Sequence, residues 1–470
     1  MRVREGQRAA VFLVRVVISA ALLMFISSFA TAQEYFYGKF FASEEEIINS
    51  FRQAGINWKQ FEGRKITFIG NSEPNQESIA KLVPLFEKLT GIKVTPELIN
   101  EEQLRQKITV DLAAKTATYD LMLFDPAYMP LYVKSDGLED LGSFLNNPSL
   151  TDLKWYDWPN DFPEGFIQMG QVNGVQYGIP LHLSGTLLMY RKDLYEEKGI
   201  AGPPKTMDEL WEHASKLNNP DEVYGIAMRG MAGAGLNVFI WSCFLKSFGG
   251  KWFDERWEPL LDSQEAIKSV EFYSQILQKF GPPGVASWEW SKVLSAMQTG
   301  KIAITIDTPA FGISIENPEK SRTAGKWGYA PQPAGPAGIT MDPYSWYVGI
   351  NKNSKSKEAA WLFLTWMTSK EVQTAIGGPT IYVSRLSINS DPRWQQEFPW
   401  LKDWQEALME NVKYADPECR PRIPEYPEIG NLVGTAIEEV ISGQKDATTA
   451  MKEVNQKVRE VMQKAGYYAQ

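Results

Sequence analysis

The sequence predicts an α/β protein made of two or more folding units. The chain has 470 residues, which exceeds the size at which a single hydrophobic core stops growing. Its first part alternates short β-rich segments with longer segments of helical periodicity, an order typical of parallel sheets with helical crossovers. The composition, 44% hydrophobic and 22% charged, is that of a folded globular protein.

The first five predicted elements alternate strand, helix, strand, helix and strand. Each β-rich segment ends at turn residues, and each helical segment carries apolar side chains at a spacing of three to four residues. In such sheets ligand sites lie beyond the carboxyl ends of the strands, where this chain places Asn71-Ser72-Glu73 and Asp125. The predicted strands are 65–70, 92–95 and 119–124, and the predicted helices are 79–89 and 101–115.

Local signals continue through the rest of the chain. Asn173-Gly174 predicts a hairpin turn between two apolar segments. Thr206 with Glu209 three residues later forms a capping box that begins a helix. The segment 302–306 reads as a buried strand that ends in Asp307, and 345–350 as a further strand. Most of the chain after residue 357 has helical periodicity.

The first 32 residues read as a secretory signal peptide. Four arginines lie among the first fifteen residues, Val16–Phe29 is uncharged and apolar, and Ala30-Thr31-Ala32 supplies small residues for cleavage. The alternative is an uncleaved N-terminal anchor, although the apolar run is short of the about 20 residues of a spanning helix. We therefore expect a periplasmic protein.

Charge and motif content exclude several function classes. The formal net charge of -9 argues against a nucleic-acid partner, which requires a basic surface. The two histidines and two cysteines form no metal-ligand pattern, and neither a P-loop nor a nucleophile elbow is present. We expect no metal and no cofactor, whereas composition does not rule out a catalytic pair of carboxylates. Cys243 and Cys419 either pair as a disulfide or remain separate buried thiols.

Tryptophan is the unusual feature of the composition, with sixteen residues. We expect most of them to pack in cores. An indole ring also covers the apolar face of a sugar, while amides, carboxylates and arginines satisfy its hydroxyl rim. Trp288 and Trp290 flank a carboxylate, and Trp346 lies in a strand beside a Pro/Gly-rich segment. A secreted two-carboxylate glycoside hydrolase shares these features and stays open as the alternative.

The order of several motifs resembles the bacterial ABC-transporter solute-binding proteins of family 1, the maltose-binding-protein-like group that binds sugars and sugar alcohols. The resemblance covers nearly the whole chain after the leader and is carried by motifs in the order of that family. These motifs are IAKLVPLFEKLTGIKVTPELI, YDLMLFD, NGVQYGIPLHLSGTLLMYRKDLYEEKGI, PPKTMDELWEHASKL, GKIAITIDTPAF and YSWYVGINKNSKSKEAAWLFLTWMTS.

The resemblance implies a two-lobed, periplasmic-binding-protein-like (type II) α/β fold with a cleft between the lobes. Mapped onto this sequence, the N-lobe comprises 62–182 plus 304–330, and the C-lobe comprises 185–302 plus 340–470. The hinge crossings then fall near 181–186, 302–307 and 330–338.

The same resemblance implies a binding protein rather than an enzyme. A small carbohydrate binds both lobes, favours their closure, and is delivered to the transmembrane permease subunits of an ABC importer. We expect a monomer.

The ligand-contacting residues that we predict come partly from strand ends and partly from matches to this family. His182 lies at the first crossing and has a structural histidine as its alternative role. Arg385 follows GGPTIYVS, which departs from the Pro-Pro-x-Arg-like loop of relatives and puts its role in doubt. The complete set is Ser72, Glu73, Asp125, His182, Arg229, Asn237, Trp241, Trp288, Trp290, Asp307, Trp346 and Arg385.

Overall fold

The predicted strand–helix alternation is present in the computed structural model, which describes residues 40–41, 43–378 and 382–468. The predicted signal peptide, 1–32, lies outside the described residues. The chain begins with α1 (Glu44–Arg52), β1 (Lys65–Asn71), α2 (Pro74–Thr90), β2 (Lys93–Ile99), α3 (Glu101–Ala114) and β3 (Leu121–Phe124). The next elements are α4 (Met129–Lys134), α5 (Gly142–Leu145), α6 (Leu153–Tyr156), α7 (Glu164–Met169), β4 (Gln171–Val172), β5 (Val175–Gln176) and β6 (Ile179–Pro180).

The middle of the chain contributes a second group of strands and their helices. These are β7 (Leu187–Arg191), α8 (Lys192–Glu197), α9 (Met207–Leu217), β8 (Tyr224–Ile226), α10 (Asn237–Ser247), α11 (Gln264–Phe280), α12 (Trp290–Gln298), β9 (Ile302–Asp307), α13 (Phe311–Ile315) and β10 (Trp327–Ala330). The last part comprises β11 (Tyr347–Ile350), α14 (Lys357–Met367), α15 (Lys370–Ala375), α16 (Leu386–Asn389), α17 (Pro392–Glu397), α18 (Leu401–Val412), α19 (Tyr426–Ile441) and α20 (Ala447–Lys464).

Two sheets organise these elements. The first has the order β2-β1-β3-β11-β6, in which β1 pairs in parallel with β2 and β3, and β11 is antiparallel to β3. The second has the order β10-β7-β9-β8. All residues of β3 and β9 are buried, as expected of strands covered on both faces. We call each sheet with its packed helices the first lobe and the second lobe.

Sheet pairing corrects the expected lobe boundaries in two places. The segment 304–330, expected in the first lobe, contributes β9 and β10 to the second sheet, where both pair with β7. The segment 340–470, expected wholly in the second lobe, contributes β11 to the first sheet, and α14 packs on β1 and β11. The apolar pattern of a buried strand does not say which sheet receives it, so the sequence left this pairing undetermined.

The crossings between the sheets shift accordingly. The first, predicted at 181–186, does join β6 to β7. The second, predicted at 302–307, is absent because β9 lies inside the second sheet between β7 and β8. After β10 the chain still bonds to the second lobe at Ala334, whose N–H donates to the Lys205 carbonyl, and it crosses at 341–346.

The two crossing segments contact each other. Ser184 and Tyr344 form an antiparallel bridge, and the Asp342 N–H donates to the Thr186 hydroxyl at 3.4 Å. Gly185 has φ +153°, and a Cβ there would lie 2.2 Å from Met341 Cε and 2.6 Å from the Asp342 carbonyl oxygen. Only glycine therefore fits where the crossings touch.

Local signals account for many element ends. Thr206 caps α9 by accepting a hydrogen bond from the Glu209 N–H, as the capping box predicts. Asn173 and Gly174 both have positive φ, +51° and +78°, which suits the two-residue turn between β4 and β5. None of the helices in the described ranges combines the length and apolarity needed to span a bilayer.

The tryptophans are mainly core residues, as predicted. Seven of the sixteen are fully buried, and their rings fill the interior against other aromatics. Trp290, by contrast, is 46% exposed. The fully buried ones are Trp241, Trp327, Trp346, Trp361, Trp366, Trp394 and Trp404.

Candidate functional site

Polar side chains converge at the carboxyl ends of β1 and β3, where the parallel strands of the first sheet terminate. Glu73 follows β1 at the start of α2, and Asp125 follows β3. Ser72 also follows β1, but its side chain is exposed and its hydroxyl donates to Glu77 on the same helix. Of these predicted residues, Glu73 and Asp125 join a common cluster.

Arg105 on α3 links this cluster and was not predicted. Its guanidinium donates to Asp125 Oδ2 at 2.6 Å and also pairs with Glu101. The guanidinium carbon lies 5.9 Å from the centre of the Trp346 ring and 5.4 Å from that of Tyr128. Burial favours loss of its proton, but the two carboxylates outweigh this and raise the pKa of Arg105.

Glu73 has an unusual protonation equilibrium. Burial, assisted by the charge of Glu101, raises its pKa to about 7, while hydrogen bonds from Tyr382, Trp346 and Asn71 oppose the rise. The Tyr382 hydroxyl donates to Glu73 Oε2 at 3.3 Å. At neutral pH this carboxyl group is therefore divided between an acceptor-only form and a form that can also donate.

An aromatic wall lies beside these charges. Trp346 is 2% exposed and contacts Tyr344 edge to face, with 6.1 Å between ring centres. His182 packs edge-on against Tyr382 at 4.7 Å. Burial raises the pKa of the Tyr344 hydroxyl, and the charges of Asp125, Glu101 and Glu73 add to this rise while Arg105 opposes it.

His182, in the first crossing segment, is buried and uncharged. Its Nε2 accepts a hydrogen bond from the Trp346 N–H at 3.3 Å, and burial lowers its pKa to about 3. The remaining Nδ1 then carries the proton, and it has no hydrogen-bond partner among the described residues. The two side-chain amide atoms of Gln76, in the first turn of α2, are likewise buried without a partner in the described part of the chain. Such buried polar atoms are costly unless a ligand or water pairs with them.

The second lobe presents a paired set of charges. Arg229 and Asp307, both predicted, form a bidentate ion pair with a shortest distance of 2.5 Å, and Asp307 is fully buried. Phe239 on α10 holds the guanidinium carbon of Arg229 at 5.1 Å and that of Arg420 at 5.2 Å. Phe239 also contacts Tyr344, with ring centres 5.9 Å apart. The second crossing segment therefore packs on the second lobe at the Tyr344–Phe239 contact.

Arg420 lies between the polar cluster of the first lobe and the charged pair of the second lobe. Its Nε lies 2.6 Å from Asp342 Oδ2 in the second crossing segment, and Asp125 of the first lobe is among the carboxylates whose charge acts on it. A pocket opens at this point between the lobes. It is lined by Pro126, Ala127, Met169, Asp342, Pro417, Arg420, Pro421, Arg422 and Tyr426.

Besides Ser72 and Arg385, four further predicted residues lie apart from this cluster. The side-chain amide of Asn237 is hydrogen-bonded to the backbone. Its N–H groups donate to the Gly230 and Gly434 carbonyls, and its oxygen accepts from the Gly233 N–H. Trp241 is fully buried, and its indole N–H donates to Ser269 at 3.0 Å. Trp290 begins α12 and is largely exposed, whereas Trp288 is half-buried.

Arg385 has a structural environment in the first lobe. Its side chain is fully buried, donates to the Tyr156 and Thr368 carbonyls, and stacks on Tyr156 and Phe162 at 4.7 and 4.3 Å. Asp161 lies 3.6 Å away as its counter-ion, while one terminal nitrogen of the guanidinium is buried without a hydrogen-bond partner in the described part of the chain.

Four residues of the cluster were not predicted, and each comes from a different segment of the chain: Arg105, Tyr344, Tyr382 and Arg420. A lone arginine in a helix reads as a solvated charge. Tyr344 did carry a signal, since it stands two residues before Trp346 and alternation along an extended segment places both on one face.

Both cysteines are free thiols in the structure and both are buried. Cys243 Sγ accepts a hydrogen bond from the Asp342 N–H at 3.2 Å, behind the second crossing.

Comparisons with known proteins identify a family and several relatives of similar sequence. Residues 70–374 match the family model described as bacterial extracellular solute-binding protein. A mannitol-binding protein of Pseudomonas aeruginosa is 28% identical over 387 residues, which are 79% of this chain and 86% of that protein.

Two solved structures have similar folds. A solute-binding protein from Agrobacterium radiobacter K84 in complex with ribitol has a TM-score of 0.75 and 27% identity, covering 85% of this chain and 99% of that one. One from Agrobacterium vitis S4 with bound D-mannitol has a TM-score of 0.74 and 30% identity, covering 86% and 100%. The predicted two-lobed, type II α/β fold is confirmed by these likenesses.

Proposed function

Because the chain belongs to the bacterial extracellular solute-binding protein family, we propose that it captures a small sugar alcohol between its lobes and passes it intact to an ABC importer. The observation that carries this proposal is the likeness, over more than four fifths of the chain, to two structures that hold ribitol and D-mannitol. The chain is a binding protein and not an enzyme, since this family consists of substrate-binding components. The glycoside-hydrolase alternative finds no support in the family.

The chemistry of the cluster suits an acyclic polyol. Such a ligand presents a hydroxyl on every carbon, each able to donate and accept, and little apolar surface. Glu73, Asp125 and Arg105 supply charged acceptors and donors whose hydrogen bonds are about twice as strong as neutral ones. Trp346 and Tyr344 supply flat surfaces for the carbon chain. The unpartnered Nδ1–H of His182 is available to one further hydroxyl.

Binding from both sides favours closure of the lobes. The carboxylates and Arg105 stand on the first lobe, whereas Arg229, Asp307 and Phe239 stand on the second. A ligand that contacts both groups stabilises the closed form, because only that form makes both sets of contacts. We place the hinge at the two crossings, 181–186 and 341–346, and the lobe boundaries follow the sheet pairing.

Further elements of the proposal concern location and partners. The family is extracellular, and we propose that residues 1–32 direct export to the periplasm and are then removed. The transported solute leaves toward the transmembrane subunits of the importer. The protein acts as a monomer, without cofactor and without nucleic acid.

Calorimetry tests the ligand assignment. We expect titration of the mature chain with D-mannitol, ribitol, erythritol, maltose and glucose to show one site, with the tightest binding for a polyol. Chromatography of the recovered ligand should return it unchanged. Binding of maltose with no heat from any polyol would replace the ligand class, and recovery of cleaved saccharide would replace the function.

The stability of the ligand-free protein should respond to the Glu73 carboxyl group. Its folded pKa of about 7 lies above the ordinary value of about 4.3, so the folded state binds more protons than the unfolded state between these values. Stability from this group is therefore complete at low pH and is lost as the pH rises toward 7. Glu73→Gln removes the titration.

Thermal unfolding of both proteins at several pH values checks this. We expect nearly equal unfolding temperatures for Glu73→Gln and wild type near pH 4, below the unfolded pKa, and a more stable variant at pH 8. Other buried acids are present in both proteins and cancel in the difference. A difference that stays constant from pH 5 to 8 would show that Glu73 keeps an ordinary pKa.

A further inference from the structure

The loop 413–425, which joins α18 to α19, is anchored on the second lobe. Lys246 on α10 pairs with Asp416 at 2.9 Å, and the Trp252 indole N–H donates to the Cys419 carbonyl at 3.0 Å. Asp416 also bonds through its N–H to the Met341 carbonyl in the second crossing segment. The loop therefore belongs mechanically to the second lobe and the hinge.

From this anchor Arg422 reaches across to the first lobe. Its guanidinium donates to the carbonyl oxygens of Gln168 at 3.0 Å and Met169 at 3.1 Å, and to that of Gln171. These carbonyls stand at the end of α7 and the start of β4, where a helix leaves its last carbonyl groups without intrahelical donors. A cation is also favoured at a helix C-terminus.

A second contact lies alongside. Lys134 at the end of α4 in the first lobe pairs with Glu425 Oε1 at 3.2 Å, and the Tyr467 hydroxyl holds Glu425 Oε2 at 3.0 Å. Lys134 is 62% exposed along its side chain, so this pair contributes less than the half-buried Arg422 contacts.

We propose that Arg422 is a latch between the lobes, a positioning residue that stabilises the closed form through its hydrogen bonds to first-lobe carbonyl groups. Its contacts join the lobes and can exist only while the lobes are close together. The same loop carries Arg420, which stands in the polar cluster two residues earlier. Closure that positions Arg420 therefore also engages Arg422.

The consequence is a contribution to ligand affinity from a residue outside the binding cluster. A ligand that binds the closed form has an apparent dissociation constant equal to the intrinsic one divided by the closed fraction. Loss of the Arg422 contacts lowers that fraction. We expect Arg422→Ala to weaken binding by about 10-fold while every group in the cluster is unchanged.

Small-angle scattering and calorimetry together test the latch. We expect ligand-free Arg422→Ala to have a larger radius of gyration than wild type and a weaker affinity for D-mannitol, with Arg422→Lys in between. Arg459→Ala is the matched control, because Arg459 pairs with Glu258 inside the second lobe, and it should leave both quantities unchanged. Should Arg422→Ala fail to fold, Lys134→Glu repels Glu425 at the same interface and should shift the scattering in the same direction.

The expected loss of affinity for D-mannitol rests on the proposed function, whereas the expected increase in the radius of gyration does not. A larger radius in Arg422→Ala without any mannitol binding by wild type would support the latch and count against the ligand. Ligand-free scattering that superimposes for wild type, Arg422→Ala and Lys134→Glu would overturn the latch, whatever ligand binds.

Discussion

We expect Asp307→Asn to lower the free energy of unfolding by about 3–5 kcal/mol. The Asp307 carboxylate is fully buried and receives Nε and a terminal nitrogen of Arg229, whose side chain is only 9% exposed. The substitution keeps the shape but removes the charge. The Arg229 guanidinium then stays in the interior without its counter-ion, which costs far more than the loss of an exposed pair.

Chemical denaturation of the ligand-free protein measures this change. Asp403→Asn is the matched control, since Asp403 is 54% exposed and lies 3.5 Å from Lys192, and it should cost less than about 1 kcal/mol. The double variant Arg229→Met with Asp307→Leu should recover most of the stability. A loss below 1 kcal/mol for Asp307→Asn would mean that water reaches Arg229 and that the pair is not closed off in solution.

The largest effect on binding should come from Arg105→Ala, which we expect to weaken polyol affinity by about 100-fold, equivalent to about 2.7 kcal/mol. Arg105 holds Asp125 at 2.6 Å and covers the Trp346 ring. Its removal takes away a charged donor and releases the Asp125 carboxylate from its fixed position. Hydrogen bonds to charged groups contribute about 1.5–3 kcal/mol each, so loss of one or two accounts for the change.

Calorimetry with D-mannitol, paired with thermal unfolding, separates binding from folding. Lys107→Ala is the control on the same helix, because Lys107 is exposed and pairs with Glu97 on β2 rather than with Asp125. Its affinity should match wild type. If Arg105→Ala keeps wild-type affinity at an unchanged unfolding temperature, the ligand does not depend on the cluster at the ends of β1 and β3.

Much of the first lobe could be predicted from the sequence, and the reason is local. Strands β1 to β3 and helices α2 and α3 each carry their own periodicity and end signals, such as Gly91 after α2, which has φ +72°. Pairing between distant segments has no such signal. Strand β9 reads the same whether it lies inside a sheet or forms a hinge crossing, so the second predicted crossing was wrong.

The same contrast between local and distant signals applies to the cluster. That Glu73 and Asp125 lie together was predictable, because strand ends are local features and sheet topology brings them to one edge. Arg105 was not, because its importance comes from Asp125 twenty residues later and Trp346 in the last third of the chain. Trp241 and Asn237 are buried apart from the cluster, since a residue type suited to sugars is equally suited to a protein interior.

Strand β11 comes late in the sequence, and this affects when the first sheet can form during synthesis. The first sheet needs residues 347–350 to fill the space between β3 and β6, so a growing chain of 300 residues still has a bare edge on β3. Unpaired edges invite intermolecular pairing, and contacts of such sequence separation form slowly. A chain truncated before residue 345 should therefore be insoluble. A chain that folds late also stays unfolded long enough to be translocated across a membrane.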